Sequence, residues 1–136
     1  MRAIGTENCI KQADALAQNA PIQALYLRSL DLTAAEVIAI APCLSDYKEL
    51  SAMSLSYNHI EDKGAIALSH HLPQNIKKIG LVNCGIGDAG GIAILEWMQT
   101  ASQLQMICIE QNNFSPDIKK AYKEFSQAHP QIIMVV

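Results

Sequence analysis

The segments IQALYLRSLDL, LSAMSLSYNHI, IKKIGLVNCGI and LQMICIEQNNF begin at Ile22, Leu50, Ile76 and Leu104, so one pattern returns after 28, 26 and 28 residues. Units this short cannot enclose a core alone, and repetition at a fixed period means that neighbours stack and share one. A fifth copy begins 28 residues further on, at Ile132, where IIMVV sets Val135 in register with Leu25, Met53, Ile79 and Ile107. No linker or low-complexity segment interrupts the series, so residues 1–136 read as a single domain.

Each unit changes its own period halfway. In LSAMSLSYNHIEDKGAIALSHHL, residues 50–72, Leu50, Met53 and Leu55 are spaced as in extended chain, whereas Gly64, Leu68 and Leu72 recur every four residues, the spacing of one helix face. The helix starts are marked too. TAAE at Thr33 to Glu36 is a capping box, Asp62 and Asp88 are the expected N-caps of the middle units, and Ser115 precedes Pro116 in a first turn. Ile40, Leu68, Ile94 and Tyr122, followed one turn later by Leu44, Leu72 and Met98, form the inward stripe. Gly64 and Gly90 stand four residues before that stripe, where a missing side chain lets helix and strand approach. Ile10, Ala13, Leu16 and Ala17 predict a further helix within residues 1–21, capping the first strand. At the other end, the strand 132–136 keeps the repeat register with Ile132 and Val135 inward, and its apolar edge leaves three outcomes open: a weak homodimer through edge-to-edge pairing, cover by a loop, or a short edge left single.

The pattern L-x-x-L-x-L-x-x-N/C-x-L in four successive copies resembles the leucine-rich repeat family, and the unit length is similar to its ribonuclease-inhibitor-like type. Asn58, Cys84 and Asn112 match the family's N/C position; Leu30 departs from it and leaves the first loop without that polar side chain. The resemblance implies an α/β right-handed solenoid with about five parallel strands on the concave side and helices on the convex side. It also implies a non-enzymatic protein-binding module. The alternative it offers is a regulator of a GTPase or another enzyme, including a secreted bacterial effector acting in a host cell.

Other functions find little support. Ten Lys and Arg against 13 Asp and Glu give a net charge of -3, too mild to favour nucleic acid or an anionic membrane surface. The first twenty residues lack the unbroken apolar core of a signal peptide, and no run approaches transmembrane length. Localisation is therefore expected to be cytoplasmic, or in a host cell after export without a signal peptide. Cys9, Cys43, Cys84 and Cys108 contain no C-x-x-C pair, which predicts reduced structural thiols. His59, His70, His71 and His129 do not cluster, so neither a metal site nor a cofactor is expected. Cys108 has no histidine at the matching place in a neighbouring unit to activate it. GIGDAGG, residues 85–91, is Gly-rich before a helix but lacks phosphate-loop spacing and recurs as HIEDKGA one unit earlier, so it belongs to the repeat. Lys119, Lys120 and Lys123 form a solvated helical face.

Function is then expected on the sheet. Alternation sends Ala24, Tyr26 and Arg28, then Ala52, Ser54 and Ser56, then Lys78, Gly80 and Val82, then Met106, Cys108 and Glu110 to the open face. Ser29, Tyr57, Asn83 and Gln111 line the rim beyond. The expected partner-binding set is Tyr26, Arg28, Ser54, Ser56, Tyr57, Lys78, Val82, Met106 and Glu110, and Tyr26, Arg28, Tyr57 and Met106 are of types that dominate interface centres. Five strands about 4.8 Å apart, each about five residues of roughly 3.3 Å, give a face of only a few hundred Å². A standard interface takes about 800 Å² from each partner. A protein partner must therefore also grip the rims.

Overall fold

The computed structural model describes residues 22–136. Five strands alternate with four helices: β1 (Ala24–Tyr26), α1 (Ala34–Leu44), β2 (Ala52–Ser54), α2 (Glu61–His71), β3 (Lys78–Gly80), α3 (Asp88–Thr100), β4 (Met106–Cys108), α4 (Pro116–Ala128) and β5 (Ile133–Val135). The strands form one parallel sheet in the order β1-β2-β3-β4-β5, each beside its neighbour in sequence. The helix expected within residues 1–21 lies outside the described residues.

Leu25, Met53, Ile79 and Ile107 are paired across β1 to β4, as the repeat register requires. Strands proper are three residues long, shorter than expected, but the ladder continues past them. Leu27, Leu55, Leu81 and Ile109 donate their N–H groups to Ser54, Gly80, Cys108 and Val135, and Ser29, Tyr57 and Asn83 donate to Ser56, Val82 and Glu110. The helices close the core from the other side through Ile40, Leu68, Ile94 and Tyr122 and, one turn on, Leu44, Leu72 and Met98, all buried. The Tyr122 hydroxyl donates to the carbonyl of Gly91 at 2.7 Å, so the one polar atom in that column is satisfied.

The fifth unit departs from the expected register. Met134, not Val135, pairs with Ile107 and packs against the core, while Ile133 and Val135 are 61% and 43% exposed. The cause is a missing residue. At the entry to β2, two successive N–H groups, Ser51 and Ala52, share the Gln23 carbonyl; Lys77 and Lys78 share that of Ser51, and Gln105 and Met106 share that of Lys77. At β5, Ile133 donates to Gln105 where earlier units use two residues, so Ile132 stays inward and everything after it shifts by one.

The caps also differ from expectation at two places. The Thr33 box and the Ser115 cap form as the sequence implies, with the Ser115 hydroxyl accepting from Ile118 N–H. Asp62 and Asp88, however, cap the following unit instead of their own helices. Asp62 Oδ1 accepts from Gly87 and Gly90 N–H, both at 2.8 Å, at the start of α3. Asp88 Oδ1 accepts from Ser115 N–H at 2.8 Å at the start of α4, and this bonding holds the Asp88 carboxyl below its ordinary range. Gly64 and Gly90 admit close approach, but of the preceding loop: a Cβ at either would lie 2.7 Å from Cγ2 of Ile60 or Ile86.

Candidate functional site: the concave face and its rim

The rim is built by a backbone device repeated four times. Ser29, Tyr57, Asn83 and Gln111 all have positive φ, at 55°, 62°, 51° and 63°, a region that non-glycine residues enter uncommonly. This left-handed residue turns the chain out of the sheet and, in the second to fourth units, aims the next side chain inward. At Asn58 and Asn112 that inward side chain holds two loops together. Asn58 Oδ1 accepts from Leu30 and Leu32 N–H at 3.2 and 2.9 Å, and its Nδ2 donates to the Leu27 and Leu55 carbonyls, each at 2.8 Å. Asn112 repeats this with Cys84 and Ile86 N–H and the carbonyls of Leu81 and Ile109. Each Asn serves the preceding loop as well as its own. The first loop therefore has its polar support from Asn58, and Leu30 is free to be 40% exposed. Cys84 fills the same position with a weaker group: its thiol donates to the Leu55 and Val82 carbonyls, and burial pushes its pKa up to about 11 against the opposing pull of backbone hydrogen bonds.

On the face itself, Tyr26 is the most exposed large hydrophobic residue among the described residues, at 66%. Arg28 is exposed and its guanidinium lies 5.6 Å from the centre of the Tyr57 ring, a cation–π distance. That contact crosses from β1's extension to the rim of the next unit and places a cation and a ring on one patch. Lys78 is exposed; Ser54, Val82, Met106 and Glu110 are half-buried.

Ser56 is not available as expected. It is only 2% exposed, its hydroxyl accepts from Val82 N–H at 3.0 Å, and Ser54 Oγ donates to it at 3.3 Å. The reason is size: beside bulkier neighbours a serine lies below the surface, and its short side chain bonds the adjacent backbone. Gly80, absent from the expected binding set, matters more to the shape. A depression of about 190 Å³ opens over it, bordered by Tyr26, Lys78, Met106 and Cys108. The signal was present as a glycine in the middle of a strand, which marks a place of close approach.

The chemistry of this face is that of contact. Cys108 is half-buried and its pKa is raised, first by burial and then by the Glu110 carboxylate, so the thiol is protonated at neutral pH. Among the described residues no group of three or more His, Cys, Asp or Glu is arranged to hold a metal ion. No described helix is long and apolar enough to cross a membrane. The outer helices carry two exposed isoleucines, Ile38 and Ile92, at 41% and 44%, which the sequence reading did not single out.

The family profile described as Leucine Rich repeat matches residues 50–69 and 73–95, the second unit and most of the third. The chain is also similar to RAN GTPase-activating protein 2 of Arabidopsis thaliana, at 24% identity over 131 residues covering 93% of this chain. It spans 24% of that protein's length. With strand, asparagine ladder and helix recurring in register through one parallel sheet, the chain carries leucine-rich repeats in a solenoid of the ribonuclease-inhibitor-like type, and such repeats indicate a protein-interaction module.

Proposed function

We propose that the protein binds a partner protein through the concave face and its adjoining rim, without catalysis of its own. The observation that carries this reading is the grouping of Tyr26, Arg28, Tyr57 and Met106 on one side of the sheet, with Arg28 stacked over Tyr57. Large amphipathic side chains already ordered before binding lose less entropy on association. The partner covers the rim as well, because the face alone is smaller than a stable interface needs. The test is capture of partners from bacterial and eukaryotic lysates followed by quantitative binding of each to surface variants. Tyr26→Ala, Arg28→Ala, Tyr57→Ala and Met106→Ala should weaken binding with little change in melting temperature, and Lys119→Ala, Lys123→Ala and Ile38→Ala should not. Binding lost only through the helix changes would move the functional surface to the convex side.

A second reading, regulation of a GTPase, is favoured by the similarity to a protein named for GTPase activation. In this reading the same surface contacts a small GTPase, in the cytoplasm of its own cell or of a host. GTP hydrolysis by purified Ran, measured with and without the chain, tests it. A rate unchanged at saturating chain removes Ran as the target.

A further inference from the structure

The concave face is uneven, and its relief has a sign of charge. The middle column across the sheet runs Tyr26, Ser54, Gly80, Cys108 and Val135, so side-chain size falls to nothing at β3 and recovers on either side. The resulting hollow of about 190 Å³ is bordered by Tyr26, Ala52, Lys78, Met106 and Cys108 with Gly80 beneath. Gly80 is held there by close packing: a Cβ would lie 2.9 Å from Ser54 Oγ and 3.1 Å from Ser56 Oγ. The lining is largely apolar, and Lys78 is the charged residue among those that line it. Across the first four units the face carries two cations, Arg28 and Lys78, and one anion, Glu110, whose Oε2 is buried. The hollow thus combines a place for an apolar side chain with a positive border.

We infer that this hollow is the anchor point for a partner segment in which an aromatic or leucine-sized side chain stands next to a carboxylate, the apolar group seating over Gly80 and the carboxylate meeting Lys78. The inference rests on the concave-face reading above and narrows it to one partner chemistry. An apolar group filling a pocket near the centre of an interface contributes most of the affinity. The ion pair remains partly in water, so it adds little affinity and mainly discriminates against basic partners.

A display library of random short peptides, selected on the folded chain, supplies the probe. Enriched sequences should place Phe, Tyr, Trp or Leu beside Asp or Glu. A synthetic peptide of that kind should lose about two- to fivefold in affinity when its acid becomes the amide, and about tenfold when Lys78→Glu turns the border attraction into repulsion. Gly80→Leu would fill the hollow but collides with Ser54, so Cys108→Phe, with an unchanged melting temperature as control, is the second filling variant; it should weaken the same peptide at least tenfold. Peptides indifferent to both Lys78→Glu and Cys108→Phe, or enriched for basic residues, overturn the anchor. If those peptides are still weakened by Arg28→Ala and Tyr57→Ala, the concave face remains the binding surface and only its partner chemistry is wrong. If no peptide is enriched, or binding responds only to Ile38→Ala or Ile92→Ala, both readings fall.

Discussion

At the scale of single residues, the two asparagines of the loop ladder carry more than their size suggests. Each supplies both halves of its amide to backbone groups that have no strand partner once the chain leaves the sheet. Asn58→Ala would strand the Leu30 and Leu32 N–H groups and the Leu27 carbonyl, while the Leu55 carbonyl keeps the Cys84 thiol. Unpaired buried groups cost about 1–3 kcal/mol each, so a loss of roughly 3 kcal/mol or more is expected in a denaturant titration. Asn58→Cys should cost less, because Cys84 shows that a thiol satisfies the acceptor half of the position. Equal losses for both would mean that the bonds the amide donates to the carbonyls contribute nothing. Leu55 and Leu81, 2% and 0% exposed, are the complementary apolar test: either change to Ala should cost about 2–5 kcal/mol as a cavity opens. A change within titration error would show the strand faces to be exchanged. These buried positions were legible because period two and the repeat agree on them. Ser56 was not, since alternation gives the direction of a side chain and says nothing of how tall its neighbours stand.

At the scale of elements, what the sequence left hidden was which unit a cap belongs to. Local grammar assigns Asp62 and Asp88 to the helices they begin, but Asp62 bonds the first turn of α3 and Asp88 the start of α4. An aspartate at a helix start binds any amide within reach, and stacking brings the next unit's amides within reach. These bonds tie successive units, so losing one should loosen the array locally: Asp62→Ala is expected to cost about 1 kcal/mol, as caps do, and to raise amide exchange at Gly87 and Gly90 more than within α2. Exchange raised in α2 instead would return Asp62 to its own helix. For Asp88 the consequence is a pH dependence. Its folded pKa lies below the ordinary 3.8, so the unfolded chain binds its proton first on acidification. The stabilisation is present above about pH 4 and is lost as the pH falls through the lower folded value. Thermal melts from neutral pH down through that window should show a decline that Asp88→Asn reduces; identical profiles would mean that Ser115 gains nothing from the charge.

At the scale of the whole molecule, stacking leaves β5 paired on one side only, with β4, among the described residues. In a parallel ladder alternate residues direct both backbone groups to the same side, so with Ile133 and Val135 bonded toward β4, the Met134 N–H and C=O face away from the sheet. The exposed side chains flanking them are Ile133 and Val135, which the sequence register had divided differently because a one-residue deletion inside a near-perfect repeat cannot be seen from apolar residues alone: in IIMVV every residue is apolar. Two chains meeting edge to edge about a two-fold axis would pair their β5 strands antiparallel and cover these four exposed side chains. A strand of three residues offers few outward groups, so the expected association is weak and concentration-dependent. Static light scattering over a concentration series should show the mean mass rising above the monomer's, and Val135→Lys should hold it at the monomer value by placing a charge at the edge. Met134→Lys would not serve, since that side chain packs inward and its loss would confound pairing with stability. A wild-type mass constant across the series would mean that edge pairing is too weak to form a dimer and that the short strand is simply left single.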